Sequence, residues 1–207
     1  SGSWHLQDLT LQGDIVQVDS EMANAMSKHL LSGKSLSLVQ TSRFTVPHVI
    51  TSPAFNITLS RSVSRLKTMY VTFTGAADKV SHDLQFAGTD AGANMLELDV
   101  QIGSKRVPSF GQLRSVNDFW WSLQCATGAH GSVFHSNSIG LQEFLTSGFI
   151  VAISFQKLYS EDGDTTFSGE NLKMGDLISI KAKNVNTNMQ MAYITLEYDS
   201  LVQIEES

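Results

Sequence analysis

The chain has 207 residues, a formal net charge of −6 at pH 7 and a hydrophobic fraction of 42%. A chain of this length can bury a full core. Its acidic balance excludes the global basic surface that would predict nucleic-acid binding, while local basic clusters are still allowed. The single cysteine, Cys125, excludes an internal disulfide and a thiolate zinc cluster, and favours assembly in a reducing compartment.

The N-terminal region predicts a strand followed by a short helix. LTLQGDIVQVD, residues 9–19, alternates apolar and polar residues in the manner of a strand. Asp19 can then cap a helix, and Gly33 supplies the left-handed residue that ends it. The apolar residues of this predicted helix recur at every fourth position: Met22, Met26 and Leu30.

Further along the chain the prevailing period is two, which is typical of strands with one buried and one exposed face. In the clearest case, MLELDVQIG, polar residues alternate with Leu96, Leu98, Val100 and Ile102. Similar patterns occur at residues 36–50, 54–62, 67–75, 148–159, 176–185 and 189–204. Because these segments are not alternated with helices, they predict an antiparallel sandwich of about eight strands.

A second helix is predicted in SVNDFWWSLQCATG, residues 115–128. Ser115 and Asp118 form the pattern of a capping box, and Gly128 can close the helix. The apolar positions follow helical spacing: Val116, Phe119, Trp120 and Leu123. The sequence therefore predicts a jelly-roll β-sandwich with one helix after the first strand and an amphipathic helix between the sixth and seventh strands.

The domain prediction is one jelly roll over residues 4–207. Ser1-Gly2-Ser3 resembles a cloning scar. No apolar run reaches the roughly 18 residues that span a bilayer, so no membrane span is expected.

No catalytic constellation is predicted, and the chain is expected not to be an enzyme. For the pair His130 and His135, we prefer the interpretation of solvated loop histidines to that of a metal site. For the acidic run at residues 161–164, we prefer a polar hairpin tip to a calcium loop. Cys125 fits a packed or half-buried thiol. Gly33-Lys34-Ser35 resembles the end of a phosphate loop. Such a loop requires a second glycine five residues before Gly33, and Lys28 stands there. We predict no metal and no cofactor.

Two segments are candidates for contact with partners. SRSVSRLK carries the densest basic cluster, Arg61, Arg65 and Lys67, which fits nucleic acid, an acidic neighbour or a solvated strand edge. In the second helix, if Phe119 and Trp120 face the sheet, Trp121 lies about 100° further round, near the rim. Exposed aromatic residues are enriched at protein interfaces. The alternative is that all three rings pack internally.

Several stretches together resemble a known family. WHLQDLTLQGDIVQVDSEMANAMSKHLLSGKSLSL and NITLSRSVSRLKTMYVTF are similar to the opening of the second jelly roll in double-jelly-roll major capsid proteins of Polinton-like viruses and related DNA viruses, the lineage of the adenovirus hexon. LELDVQIGSKRVPS, GFIVAISFQKL, FSGENLKMGDLISIKAKN and YITLEYDSLVQI resemble its closing half.

This resemblance implies a structural protein of the virion, assembled inside the host cell. Proteins of this lineage stack two jelly rolls and trimerise into pseudo-hexagonal capsomers. Only one roll is present here, so the chain is either part of a longer protein or a single-roll relative that needs six copies or a partner. The implied partners are further copies in trimeric or pseudo-hexameric capsomers and other capsid proteins. Direct contact with nucleic acid is left open.

In that role, the interface candidates are Trp121, Arg61, Arg65 and Lys67, together with the loop at residues 75–94. The alternative function is a jelly-roll binding module, such as a lectin or a receptor-binding domain. A cupin-type enzyme would need clustered histidines on neighbouring strands, and the histidines here are scattered.

Overall fold

The computed structural model describes residues 10, 13, 16–75, 95–108, 111–130, 136–156, 169–172 and 176–205. Within these residues the chain forms nine strands and three helices. The strands are β1 (Leu36–Val49), β2 (Phe55–Ser60), β3 (Val63–Gly75), β4 (Glu97–Ile102), β5 (Lys105–Val107), β6 (Val151–Ser154), β7 (Glu170–Leu172), β8 (Leu177–Lys183) and β9 (Met189–Ile204). The helices are α1 (Ser20–Leu31), α2 (Val116–Ala126) and α3 (Leu141–Thr146).

The strands form two sheets. The five-stranded sheet has the order β1-β9-β3-β6, with β7 also pairing to β3, and the four-stranded sheet has the order β2-β8-β4-β5. The registered pairs are antiparallel. The chain crosses from one sheet to the other at every connection except β4–β5 and β6–β7, and this strand order is that of a jelly roll. The predicted all-β jelly-roll sandwich is confirmed.

The predicted order of helices is compatible with this arrangement. Counted from β1, α2 lies between β5 and β6. The prediction placed this helix between the sixth and seventh strands because it counted an additional strand at residues 9–19. Most of that segment lies outside the described residues, and residues 16–19 are not in a strand. The long loop at residues 76–94 and the acidic run at residues 161–164 also lie outside the described residues.

The core is built from alternate residues of both sheets. In β8, Ile178, Ile180 and Ala182 are buried, while the intervening side chains face outward. In β9, Ala192, Ile194 and Leu196 are fully buried. This alternation arises because successive side chains of a strand point to opposite faces. Each sheet therefore has an inner apolar face and an outer polar face.

The chain divides into two compact units, residues 1–38 with 202–207 and residues 39–201. All buried hydrophobic side chains among the described residues lie in the second unit. In the first unit, the Asp19 carboxylate accepts a hydrogen bond from the Met22 backbone N–H at 2.8 Å, and Gly33 has φ of 74°. The predicted cap and stop of α1 are confirmed. One domain over residues 4–207 stays a prediction.

Three short elements were not predicted: β5, β7 and α3. The pairing of β7 with β3 depends on Gly169, which has φ of 149°. A Cβ atom at this glycine would lie 2.9 Å from the Leu66 carbonyl oxygen, closer than real Cβ atoms approach. Glycine is therefore required for the chain to enter β7 at this distance from β3.

Candidate functional site

The basic segment SRSVSRLK enters an irregular part of the five-stranded sheet. Leu66 pairs with Tyr198 while Thr68 pairs with Glu197, so Lys67 is an extra residue in β3 relative to β9. This is a β-bulge, which changes the direction of a side chain relative to regular alternation. The Lys67 side chain accordingly reaches strands β9 and β1.

Lys67 and Arg65 converge on one buried carboxylate. The Lys67 Nζ lies 2.7 Å from Asp199 Oδ1, and the Arg65 Nε lies 3.3 Å from Asp199 Oδ2. Lys67 Nζ also donates to Thr41 Oγ1 at 3.2 Å. Asp199 is only 6% exposed to solvent, and Lys67 only 8%. Because a buried charge requires a partner, these contacts explain how the lysine is accommodated.

Arg61 makes a different set of contacts. Its guanidinium carbon lies 3.8 Å from the centroid of the Phe44 ring and 5.8 Å from that of Tyr198. Its Nη2 donates to the Tyr198 hydroxyl at 3.4 Å. Cation–π geometry of this kind holds the arginine against the aromatic rings of β1 and β9.

The structure therefore changes the interpretation of the basic cluster. The alternative of a solvated strand edge is wrong for Arg65 and Lys67, because β3 is paired on both sides, to β9 on one side and to β7 and β6 on the other. A buried, neutralised Lys67 presents little charge to a partner. The interface role of the cluster stays a prediction, and its accessible part consists of Arg61 and Arg65.

The second candidate, Trp121, lies on α2. Ser115 and Asp118 form the capping box that was predicted, and Gly128 has φ of 73°. Phe119 is fully buried, and its ring meets that of Phe149 edge-on at a centroid distance of 5.7 Å. The sequence thus predicted both the helix and its buried side.

The three aromatic residues of α2 differ in how far they are exposed to solvent. Trp120 is half-buried, and its ring packs against Phe144 at 5.1 Å. Trp121 is 55% exposed, and its ring meets His130 edge-on at 5.3 Å. The alternative in which all three rings pack internally is wrong. The Trp121 ring therefore lies at the surface, and its interface role stays a prediction.

Sequence reasoning missed a polar network on the outer face of the five-stranded sheet. Arg43 Nε donates to Glu197 Oε2 at 2.7 Å, and this contact raises the pKa of Arg43. Burial, followed by the negative charge of Glu197, raises the pKa of the nearby Tyr70 above its ordinary value. No pattern within β1 or β9 alone contains this signal, because the network depends on their alignment.

The described residues among the remaining candidates do not form a common site. Cys125 is half-buried, and burial raises the pKa of its thiol, as expected for a packed residue. His135 and residues 161–164 lie outside the described residues. Among the residues that are described, no group of three or more His, Cys, Asp or Glu side chains could hold a metal ion. None of the described helices has the length and hydropathy to cross a membrane.

The class defined by this architecture is the jelly-roll sandwich, and comparison with known proteins agrees. No protein-family model and no curated protein sequence matches the chain. The crystal structure of PBCV-1 VP54, fitted into a cryo-EM reconstruction of the virophage Sputnik, is similar with a TM-score of 0.59 and 10% sequence identity. The similarity covers 91% of this chain and 53% of VP54, so the chain spans about half of that protein's length. At this identity, the similarity shows the fold alone.

Proposed function

We propose that this chain is a jelly-roll unit of a viral major capsid protein, and that it builds capsomers by lateral self-association. The observation that carries the proposal is the strand order of the two sheets together with the similarity to VP54, a protein whose structure was fitted into the reconstruction of a virophage. The role is structural and non-enzymatic, located in the virion after assembly inside the host cell.

The coverage of VP54 supports the more detailed form of the proposal. One jelly roll of a two-roll protein would cover about half of it, as this chain does with 53% of VP54. Because the sequence resembles the second roll in particular, we propose that the chain corresponds to that roll of a double-roll capsid protein of the Polinton-like and adenovirus-hexon lineage. Its partners would be further copies in trimeric or pseudo-hexameric capsomers and other capsid proteins.

Among the candidate interface residues, Trp121 is the strongest. Its ring is more than half exposed on a helix whose opposite side is anchored in the core by Phe119 and Leu123. A rigidly held aromatic side chain loses little conformational freedom on binding, which is why such residues dominate interface energies. Arg61 and Arg65 are proposed to contribute at the neighbouring strands, and Lys67 only by holding Asp199.

Self-association is tested by mass photometry and sedimentation across a concentration series, with the chain alone and joined to the adjoining part of its parent protein. We expect trimers or hexamers in at least one form. A strict monomer at high concentration in both forms would contradict the proposal.

A substitution of Trp121 tests whether this residue lies in the surface through which the chain self-associates. Trp121→Ala is expected to weaken association at least tenfold, as loss of a central aromatic residue of an interface does. The matched control is Leu177→Ala, which removes another exposed apolar side chain, 45% exposed, from the four-stranded sheet. Equal association of both variants would exclude Trp121 from the interface.

The alternative proposal is a binding module, and the exposed Trp121 ring also favours it, because aromatic rings stack on sugars. A glycan array tests it. Binding that is lost in Trp121→Ala would favour the binding module, and an array without hits would exclude a lectin.

A further inference from the structure

The outer face of the four-stranded sheet carries polar and charged side chains in register, with the exposed Leu177 at one end of β8. In β8, Lys181 and Lys183 are exposed and alternate with buried Ile180 and Ala182. Lys181 lies opposite Asp99, and Lys183 opposite Glu97. We call this surface the basic face and define it by the following residues: Asn56, Thr58, Glu97, Asp99, Gln101, Arg106, Arg114, Ser179, Lys181 and Lys183.

The basic face has more cations than carboxylates. Arg106 Nε lies 3.0 Å from Asp99 Oδ1, and Arg114 Nε lies 3.8 Å from Glu97 Oε1. Both carboxylates are thus already engaged by arginines. Lys181 and Lys183 form no ion pair with any other described residue. Two positive charges therefore remain uncompensated on this face of a chain whose total charge is −6.

The uncharged members of the basic face are hydrogen-bonding groups. Asn56 lies opposite Lys181, and Thr58 opposite Ser179. Ser179 Oγ donates to Asn56 Oδ1 at 3.1 Å, and Gln101 lies between Ser179 and Arg106. Lysine, arginine, serine, threonine, asparagine and glutamine are the side chains that contact phosphate oxygens in protein–DNA complexes. No aromatic residue belongs to the face, so it offers no platform for stacking bases.

We propose that the basic face binds the phosphate backbone of duplex nucleic acid without reading its sequence. Lys181 and Lys183 supply the uncompensated charge, and the neighbouring hydroxyl and amide groups donate hydrogen bonds to phosphate oxygens. Leu177, at one end of β8, is an isolated exposed apolar side chain beside the face, and one such side chain is too little apolar surface for insertion into a lipid layer. This inference goes beyond the proposed capsid role and is independent of it.

The test is fluorescence anisotropy with a short labelled DNA duplex of mixed sequence and the full chain, titrated at several salt concentrations. Two lysine contacts predict that the logarithm of the binding constant falls with the logarithm of salt concentration with a slope of at least about −1.8. Duplexes of different sequence should bind equally. In Lys181→Gln/Lys183→Gln, affinity at low salt should fall at least about tenfold, and the slope should weaken by about 1.8, the share of the two lysines.

The matched control is Lys28→Gln/Lys34→Gln, which removes the same charge from two exposed lysines in and after α1. We expect it to bind as the unmodified chain does, and circular dichroism should show native folding of both variants. Three results would overturn the proposal: no binding at low salt, an equal loss in the control, or displacement of DNA by polyglutamate or anionic vesicles as effectively as by unlabelled DNA. Because binding is measured at whatever oligomeric state the chain adopts, failure of capsomer assembly does not affect the result.

Discussion

The two sheets differ in whether their lysines are paired with carboxylates. On the five-stranded sheet, Lys67 and Arg65 share Asp199, and Arg43 is held by Glu197 at 2.7 Å. On the four-stranded sheet, Lys181 and Lys183 have no such partner among the described residues. The densest basic cluster of the sequence is therefore largely neutralised within the fold. The uncompensated positive charge comes from a pair of lysines that sequence inspection passed over.

The largest expected effect comes from breaking the most buried pair. Asp199→Asn leaves the charge of Lys67, which is 8% exposed, without its counter-ion. We expect the free energy of unfolding to fall by about 3 to 5 kcal/mol, the usual cost of an uncompensated buried charge. Urea denaturation followed by tryptophan fluorescence measures it.

A double variant distinguishes lost charge balance from general damage. Asp199→Asn/Lys67→Met removes both charges, so it should recover a large part of the lost stability, since a buried ion pair can be replaced by apolar side chains at little cost. If the single variant loses less than about 1 kcal/mol, the buried pair is not the stabilising contact that its geometry indicates.

Asp99 offers the corresponding test on the four-stranded sheet, with a smaller expected effect. Asp99 is buried like Asp199, but the side chain of its partner Arg106 is 53% exposed. In Asp99→Asn the arginine can turn towards water, so we expect a loss of about 1 kcal/mol, in the same urea assay. A loss as large as that of Asp199→Asn would remove the contrast between the two sheets.

Arg43 tests how much an accessible pair contributes on the five-stranded sheet itself. Its side chain is 70% exposed, so solvent screens its attraction to Glu197. We expect Arg43→Ala to cost roughly 0.5 kcal/mol, and less in high salt. Thermal unfolding at two salt concentrations measures this difference, and a cost that does not depend on salt would assign the effect to packing instead.

The smallest effect concerns the ionisation of Tyr70. Burial and then Glu197 raise the pKa of its hydroxyl, so Glu197→Gln should lower that pKa while leaving it above the ordinary value. Ultraviolet difference titration against Tyr70→Phe measures it. Because the raised pKa favours the neutral form in the folded chain, its stabilising contribution is complete below about pH 10, the ordinary tyrosine value, and is lost as pH rises through the folded pKa.

The Tyr70→Phe variant gives the control for that dependence. Without the titrating hydroxyl, stability should decline less steeply above about pH 10 than in the unmodified chain. Identical pH profiles would show that Tyr70 does not contribute to the linkage.

Most strands could be predicted because their alternation is a local property. The predicted segment at residues 189–204 coincides with β9, and the segment at residues 36–50 with β1 to within one residue. The prediction at residues 67–75 missed the start of β3, which begins at Val63. The bulge at Lys67 shifts the alternation there, so the pattern appears regular only after it.

The helices show the same dependence on local signals. The caps of α1 and α2 each involve side chains three residues from their targets, so the sequence contains them in full. The helix α3 has six residues, which is too short for a periodic pattern to be recognised. Only one of its side chains, Phe144, is buried.

The candidate site was less predictable than the fold. The exposure of Trp121 followed from helix geometry, because a helix that buries Phe119 turns the second tryptophan away from the sheet. The burial of Lys67 could not be predicted, since its partners Asp199 and Thr41 are brought to it by strand pairing.

The close approach at Gly169 makes β7 vulnerable to a single methyl group. With alanine at this position, the side chain would press on the Leu66 carbonyl, and the easiest relief is for β7 to move off β3. The freed backbone groups of β3 would then form an open template on which another molecule's strand could grow. The missing side chain of Gly169 thus keeps this stretch of β3 covered by β7.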